Sequence, residues 1–400
     1  MLEKKKRIRV VIVDDSIQFR TVLCALLKDH PLIKVIGEAV NGIEALDLIL
    51  KSKPDVILMD FEMPLMDGMT ALQHLMIHVP TPTIMFSRLT KEGTARCFDA
   101  LKNGAVDFYC KNNLPTISSD SVLMQELSER VICASHVSVK AVEPIFPKLP
   151  RKVVNVPRIK TLIFCEECGA KTELIIRENE DQGGVICTNC GDHITLEQRN
   201  KYRRANFISL VIAGEGAYIN LLKLVPHLRQ DINGALLILI DGTVEHVDAF
   251  TEYLNSISTI NIVRIKEGIT IQGGNCYIGC ENESILLRPY SADYTIRCKR
   301  SSNEKTMPLD RTMSSIAKVF KNRTAVLFLS GNEPQGKSGL RDVLKMHGSV
   351  LVLNPKRCLY KRMGLHIMDN FSPTILASEE ELAMKISEMH LRHRDTIVTA

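Results

Sequence analysis

One stretch of the chain, residues 55 to 68, constrains the fold more than any other. It contains an apolar run from Val56 to Met59, which is typical of a short strand buried on both faces. The run ends on Asp60, so that a carboxylate lies at the carboxyl end of the strand. Because open parallel sheets place their functional sites at this edge, the stretch predicts a parallel α/β fold with a site at Asp60.

Short apolar runs alternate with helical patterns on both sides of this stretch, over residues 1 to 113. Apolar residues with helical spacing follow the first run, between Phe19 and Leu27. This alternation predicts a doubly wound parallel sheet with helices on both faces. The predicted strands are Ile8 to Val13, Lys34 to Ala39, Val56 to Asp60, Thr83 to Phe86 and Val106 to Cys110.

Polar side chains lie where these predicted strands end. They are Asp14, Asp15, Asp60, Ser87 and Lys111. Because the carboxyl ends of parallel strands share one edge of the sheet, we expect these side chains to converge. The carboxylates repel one another and need a cation, and an oxygen-only set suits Mg²⁺. Such a pocket could hold a phosphoryl group on a carboxylate; the alternative interpretation is ordinary helix caps and surface charges.

Residues 1–117 resemble the receiver domain of two-component response regulators over the whole length of the segment. The resemblance implies that a histidine kinase phosphorylates Asp60. It also implies that Asp14, Asp15 and Asp60 hold Mg²⁺ together with the main-chain carbonyl of Glu62.

The same resemblance assigns roles to the ends of the last two strands. It implies that Ser87 and Lys111 contact the phosphoryl group and that Phe108 is the aromatic residue that changes rotamer. The family usually has a proline after the lysine, often with a cis peptide bond, whereas Asn112 follows Lys111 here. The resemblance therefore does not carry the geometry of the next loop.

Residues 118–160 are predicted to form a linker. Ser119 to His136 has the pattern of an amphipathic helix, which could be a docking helix, a dimer helix or a plain connector. Val139 to Pro157 contains four prolines, which disfavour regular helix and predict a semi-rigid spacer.

Residues 161–204 contain two C-x-x-C pairs, each followed by glycine. The pairs are Cys165 with Cys168 and Cys187 with Cys190. Each pair can form a turn in which two thiolates bind one ion, so the spacing predicts a small zinc ribbon with a structural Zn²⁺ site. The alternatives are a redox dithiol pair or a site that has lost its metal.

Strands and helices alternate again over residues 205–400, which predicts a second doubly wound α/β domain. A hairpin-like stretch is expected around Gly273, Gly274 and Tyr277, and Ser349 to Leu353 is expected to be the final strand. The remaining predicted strands are Ile208 to Ala213, Ala235 to Ile240, Asn261 to Ile265 and Ala325 to Leu329.

This segment resembles the catalytic domain of chemotaxis protein-glutamate methylesterases, through Ala325 to Leu353, the run EGITIQGGNCYIG and a helix from Asp310 to Lys318. The family uses a serine nucleophile, a histidine base and an aspartate. The matching positions here are Gly214, Asp241 and Gln335. Since a glycine offers no nucleophile, we expect a methylesterase-like domain that lacks its catalytic triad. The alternative is an active protein-glutamate methylesterase or glutamine deamidase.

A rival site lies in the same domain. The segment Gly331 to Ser338 fits the phosphate-binding pattern G-x-x-x-x-G-K-S, in which Lys337 reaches phosphate oxygens and Ser338 binds Mg²⁺. The alternative is a loop of the esterase-like family that fits the pattern by chance. A nucleotide-binding output domain is therefore a further candidate.

The composition excludes several other classes of protein. The net charge is only +5 and the basic residues are scattered, so nothing indicates nucleic-acid binding. No apolar run approaches the ~20 residues of a membrane span, and no signal peptide is recognisable. Cys276, Cys280 and Cys298 are expected to be buried thiols.

Together with the two resemblances, these observations lead us to expect a cytoplasmic, chemotaxis-type response regulator whose partners are a histidine kinase and a chemoreceptor or other signalling protein.

Overall fold

The computed structural model describes the chain except for a set of loops, the two ends and most of the cysteine module. The described residues are 7–87, 91–111, 121–139, 159–164, 171–176, 185–186, 193–194, 205–229, 232, 234–281, 283–290, 293–300, 308–333 and 335–392. The chain forms two compact units, one of Met1–Glu143 with Arg204–Ala400, and one of Pro144–Arg203. The first unit holds both predicted α/β domains, which we call the N-terminal and C-terminal domains. In the described residues, no helix is long and apolar enough to cross a membrane.

The N-terminal domain is a parallel five-stranded sheet in the order β2-β1-β3-β4-β5, as the alternation predicted. Its central strands are buried along their length, which explains their unbroken apolar runs. Its elements are β1 (Ile8–Val13), α1 (Ile17–Lys28), β2 (Ile33–Ala39), α2 (Gly42–Ser52), β3 (Val56–Asp60), α3 (Gly68–His78), β4 (Thr83–Ser87), α4 (Lys91–Lys102), β5 (Asp107–Cys110) and α5 (Ser121–Ser135).

A tight turn fixes the position of Asp60 at the end of β3. The backbone N–H of Gly68 donates to the carbonyl of Phe61, and the Asp67 carboxylate accepts from the N–H of Thr70 to begin α3. A Cβ atom at Gly68 would lie 1.9 Å from the Asp60 carbonyl oxygen, so this turn closes only around glycine.

Helix α5 corrects the prediction of a linker helix in residues 118–160. Leu127, Val131 and Ala134 are buried in the same apolar cluster as β1, β3 and β4. This apolar face packs against the sheet of the N-terminal domain, so α5 is the last helix of that domain rather than a free docking or dimer helix.

The second unit contains two pairs of short antiparallel strands, β6 with β7 and β8 with β9. The four cysteines of the predicted zinc ribbon, the asparagine after Lys111 and most of the linker lie outside the described residues. The zinc site therefore stays a prediction. The strands are β6 (Ile159–Phe164), β7 (Lys171–Ile176), β8 (Val185–Ile186) and β9 (His193–Ile194).

The C-terminal domain is a second parallel sheet, with seven strands in the order β12-β14-β11-β10-β17-β18-β19. A three-stranded antiparallel sheet accompanies it, in the order β13-β16-β15. Its elements are β10 (Ile208–Ala213), α6 (Tyr218–Leu224), β11 (Ala235–Ile240), α7 (Val244–Ile257), β12 (Asn261–Arg264), β13 (Thr270–Ile271), β14 (Asn275–Cys280), β15 (Glu283–Tyr290), β16 (Asp293–Arg300), α8 (Pro308–Phe320), β17 (Thr324–Phe328), α9 (Lys337–Lys345), β18 (Ser349–Leu353), α10 (Arg362–Asn370), β19 (Thr374–Leu376) and α11 (Glu379–Arg392).

Two strand predictions for this domain were wrong. The hairpin expected around Tyr277 does not form, because β14 is buried and pairs in parallel between β11 and β12. Strand β18 is not the last, because the short strand β19 follows it and pairs with its outer edge. The predicted burial of Cys276 and Cys280 is confirmed, while the side chain of Cys298 lies outside the described part of the chain.

The two domains of the first unit share an aromatic interface. We use this name for Phe98 of α4, Phe108 of β5, Tyr218 of α6, and Phe250 and Tyr253 of α7. The Phe98 ring centroid lies 4.8 Å from that of Phe250 and 5.6 Å from that of Tyr218. Phe108 lies 5.8 Å from Tyr218. The α4–β5 face of the N-terminal domain is therefore covered by the C-terminal domain.

Candidate functional site

The strand ends of the N-terminal domain converge as the sequence predicted. Asp14 and Asp15 follow β1, and Asp60 ends β3, the next strand in the sheet. Carboxylate oxygens of the three residues all lie within 4.8 Å of one another. Asp14 and Asp60 are buried, whereas Asp15 is exposed. We call these residues, together with Lys111, the acid pocket.

Lys111 places a positive charge inside the acid pocket. Its Nζ atom lies 2.6 Å from Asp14 Oδ2 and 2.6 Å from Asp60 Oδ2. The same Nζ lies 4.4 Å from the centre of the Phe19 ring. Burial raises the pKa of the Asp60 carboxyl to about 6, although the hydrogen bond and charge of Lys111 lower it.

The acid pocket fits a small oxygen-seeking cation. Three carboxylates at mutual distances below 4.8 Å can bind one ion together, and Mg²⁺ is commonly bound by one or two carboxylates and water. The contribution of the Glu62 carbonyl stays a prediction.

Ser87 and Phe108 lie on the side of the sheet that faces α4 and the aromatic interface. Ser87 ends β4 and its hydroxyl hydrogen bonds with the Cys97 thiol of α4. The half-buried Phe108 ring lies 6.0 Å from Phe98 and 6.2 Å from the His246 ring of α7. A movement of the Phe108 ring would therefore change its contacts with the C-terminal domain.

A second site lies at the carboxyl ends of the C-terminal sheet, where Gly214, Asp241 and Gln335 come together. They border a cavity of about 400 Å³, which we call the acidic cavity. None of its described lining residues is a serine, threonine, cysteine or histidine. The lining residues are Gly214, Glu215, Asp241, Glu281, Pro308, Gly331, Asn332, Glu333, Gln335 and Met363.

The backbone around Gly214 leaves little room for a side chain. A Cβ atom there would lie 2.9 Å from the Cα of Gly331 and 3.1 Å from the Ser330 carbonyl oxygen. The first contact is closer than Cβ atoms normally come and the second is tight, so a side chain at this position would require the neighbouring backbone to shift. The position that the resemblance matched to the serine nucleophile is therefore a glycine in a crowded part of the backbone.

The lining of the acidic cavity carries more negative than positive charge. Glu215, Asp241, Glu281 and Glu333 all line it, and no described lining residue is basic. Burial, followed by the negative charges of Asp241 and Glu333, raises the pKa of Glu281 to about 7.

The loop from Gly331 to Ser338 borders this cavity, and its surroundings disfavour phosphate binding. Gly331, Glu333 and Gln335 line the acidic cavity, so the loop borders its carboxylates. At the start of α9, the N–H of Gly339 already donates to the Asp310 carboxylate, although a phosphate-binding loop would turn such groups towards its ligand. The acidic surroundings would repel nucleotide phosphates.

Arg130 and Glu215 join the two domains, and the sequence had not singled out either. Arg130 Nη1 donates to Asp107 Oδ2 at 2.7 Å, and Arg130 Nη2 lies 3.0 Å from Glu215 Oε1 of the C-terminal domain. Arg130 lies four residues after Glu126, which it also contacts, and this spacing is typical of an ordinary helix-surface pair, so the local sequence does not indicate a partner in the other domain.

A smaller cavity of about 190 Å³ lies between the two domains and shares Glu215 and Asp241 with the lining of the acidic cavity. Ser87 and Phe108 line it from the N-terminal domain, and Asp241 and His246 from the C-terminal domain. His246, to which the sequence gave no role, lies here against Phe108, and burial lowers its pKa. The smaller cavity thus adjoins both the aromatic interface and the acidic cavity.

Comparison with known families assigns each domain. Residues 10–117 match the response regulator receiver domain family, and residues 209–386 match the CheB methylesterase family.

Curated relatives match across both domains. The protein-glutamate methylesterase/protein-glutamine glutaminase of Pyrococcus horikoshii is 28% identical over 353 residues, which are 88% of this chain and 85% of that protein. Protein-glutamate methylesterase/protein-glutamine glutaminase 2 of Photobacterium profundum is 28% identical over 86% of this chain and 89% of its own length. The crystal structure of the response regulator domain of Thermotoga maritima CheB is 43% identical, covering 33% of this chain and 99% of that one with a TM-score of 0.31.

Proposed function

The chain joins a response regulator receiver domain to a CheB methylesterase domain, and from this we propose that it is a phosphorylation-controlled signalling protein of the chemotaxis type. A histidine kinase phosphorylates Asp60. The phosphorylated receiver then changes how it packs against the C-terminal domain, and this exposes or hides a binding surface.

The observation that carries the proposal is the convergence of Asp14, Asp15, Asp60 and Lys111 at one sheet edge. The carboxylates of Asp14, Asp15 and Asp60 would hold Mg²⁺, which when bound neutralises charge on a phosphoryl donor. Asp60 acts as the nucleophile that accepts the phosphoryl group. Lys111 then moves from the carboxylate to the new phosphoryl oxygens, and the Ser87 hydroxyl leaves Cys97 to hydrogen bond with them.

Transmission to the C-terminal domain runs through β5 and α4. Phe108 lies on β5 between the acid pocket and Tyr218, so a change of its rotamer alters the aromatic interface. The switch is therefore a repacking of rings between domains that contact each other in the resting state.

The proposed output is binding rather than ester hydrolysis. Gly214 lacks a nucleophile, a side chain there would require the backbone at Gly331 to shift, and the acidic cavity supplies no histidine base among its described lining residues. Loss of one triad member alone costs orders of magnitude in rate.

The test of the proposal is phosphorylation by a small phosphodonor such as acetyl phosphate with Mg²⁺. The wild type should take up one phosphoryl group per chain, and Asp60→Asn none. Chelation of Mg²⁺ should abolish the labelling of the wild type. Equal labelling of wild type and Asp60→Asn would refute the assignment.

A second candidate function is protein-glutamate methylesterase or glutaminase activity, which the names of the relatives favour. Methanol release from a methylated chemoreceptor peptide tests it. Release above the rate of a heat-treated sample, and reduced by Asp241→Asn, would establish this function and overturn the binding proposal.

We also propose that residues 161–204 bind one structural Zn²⁺ through the four cysteines. The spacing of the two pairs supports this. Elemental analysis should find one zinc per chain, and loss of the metal from Cys165→Ser with Cys187→Ser. A folded wild type without zinc would contradict the proposal.

A further inference from the structure

Helix α3 of the N-terminal domain carries two histidines on its outer face. Leu72, Leu75 and Met76 are buried in the core, and this fixes the opposite face of the helix towards solvent. His74 and His78 lie on that outer face, and both are exposed. Because an α-helix completes one turn in about 3.6 residues, side chains four residues apart lie one above the other. The fold therefore holds the two imidazole rings next to each other.

The two rings are already arranged as a pair. The ring centroids of His74 and His78 are 6.3 Å apart, and the ring planes are inclined by only 12° to each other. Two rings that share one ion through Zn–N bonds of about 2.0–2.1 Å lie slightly closer than this. Rotation about the bonds of the exposed side chains supplies the difference.

The ring nitrogens of this pair are available to a ligand. Among the described residues, neither His74 nor His78 has a hydrogen-bond or ion-pair partner. The exposed His136 and His227 rings differ, since each hydrogen bonds through Nδ1 to the carbonyl oxygen four residues before it, at 2.8 Å and 2.6 Å respectively. The pair on α3 thus combines close approach with free ligand atoms.

We propose that His74 and His78 form a binding site for a divalent transition metal ion of the Ni²⁺, Cu²⁺ and Zn²⁺ group, with water in the remaining coordination positions. Imidazole nitrogen suits these ions, and two histidines four residues apart on one helix face can bind one ion together. The site differs in chemistry from the acid pocket, because Mg²⁺ prefers oxygen ligands. The ion ties the last turn of α3, which ends at His78, to the turn before it. This inference does not rest on the proposed function.

The test is a calorimetric titration of the full chain with Ni²⁺ in the presence of excess Mg²⁺, which occupies oxygen-only sites. The wild type should show one Ni²⁺ site whose affinity falls about tenfold or more in His74→Gln and in His78→Gln, because a single imidazole loses the advantage of two linked ligands. Both positions are exposed, so the variants should melt at the wild-type temperature without metal.

A spacing variant tests the geometry of the pair. His74→Gln combined with Gln73→His keeps two histidines on α3 but separates them by five residues, which places them on different sides of the helix. Gln73 is exposed, so this variant should fold normally. It should bind Ni²⁺ as weakly as the single variants.

A control variant and a second measurement locate the ion. His136→Gln removes an exposed histidine outside the pair and should keep the wild-type affinity. Ni²⁺ should slow hydrogen exchange in the last turn of α3 in the wild type and not in His74→Gln. Equal Ni²⁺ affinity of wild type and His74→Gln, or protection of α3 that persists in the spacing variant, would overturn the inference.

Discussion

The acid pocket and the acidic cavity occupy the same place in two different parallel sheets, since both lie at the carboxyl ends of central strands. Both are rich in carboxylates. The acid pocket contains its own cation, because Lys111 contacts Asp14 and Asp60. The acidic cavity has no described basic residue in its lining, and Arg130 reaches it only from the other domain. We propose that the same topological position serves covalent chemistry in one domain and recognition in the other.

Asp60→Asn should produce the largest effect, because it removes the carboxylate that we propose accepts the phosphoryl group. We expect complete loss of phosphoryl uptake, measured by mass spectrometry of the intact chain. Asp241→Asn, its counterpart in the acidic cavity, should leave uptake unchanged. A comparable loss in both variants would show that the two sites are not chemically distinct.

Phe98→Ala tests whether the two sites belong to one cooperative structure. Phe98 is fully buried and contacts rings of the C-terminal domain. We expect the free energy of unfolding to fall by about 3–5 kcal/mol in chemical denaturation. Hydrogen exchange should increase in α6 and α7. Phe320→Ala, in the core of the C-terminal domain, should destabilise the chain without increasing exchange in α4. A cost below about 1 kcal/mol for Phe98→Ala would contradict a shared core.

Gly214→Ser tests whether the acidic cavity has room for a catalytic triad. The new Cβ would meet Gly331 at 2.9 Å, so we expect a loss of about 1–3 kcal/mol in the free energy of unfolding. Gly214→Ala should cost the same, which would place the clash at Cβ. The combined variant with Asp241→His and Gln335→Asp should release no methanol from methylated receptor peptides. Release by this variant would show that the site lacks the reactive side chains but still has room for them.

Glu281→Gln should give the smallest effect. Because the folded carboxyl has a pKa of about 7 and the ordinary value is 4.5, the folded state binds more protons than the unfolded state between these values. The contribution of Glu281 to stability is therefore fully present below pH 4.5 and is lost as the pH rises from there through about 7.

Between pH 5 and pH 8, we expect the free energy of unfolding of the wild type to fall by about 1–2 kcal/mol more than that of Glu281→Gln. This figure is reduced for the partial exposure of Glu281. Thermal or denaturant unfolding at the two pH values measures it. Glu267→Gln should follow the wild type. An identical pH dependence in wild type and Glu281→Gln would show that the cavity carboxylates are well hydrated.

The sequence predicted the acid pocket well because each of its residues follows a recognisable strand. Asp14, Asp60 and Lys111 could be placed at one edge from strand alternation alone, since parallel sheets bring strand ends together. The resemblance to receivers then supplied the roles.

The interface between the domains could not be predicted in the same way. Arg130 contacts Glu215 across 85 residues of chain, and nothing local in either segment indicates a long-range partner. The hairpin expected around Tyr277 failed for a related reason, since glycines suggested a turn while the pairing of β14 was decided by distant strands.

Lys111 has a consequence for how the receiver depends on metal. Because its ammonium group already bridges Asp14 and Asp60, the repulsion between these carboxylates is relieved before any ion arrives. Magnesium would then bind reversibly and take part only in the reaction, whereas the zinc predicted for the cysteine module would be needed for folding. Such a receiver would lose phosphorylation but stay folded when magnesium is scarce. It would be phosphorylated again as soon as magnesium is restored.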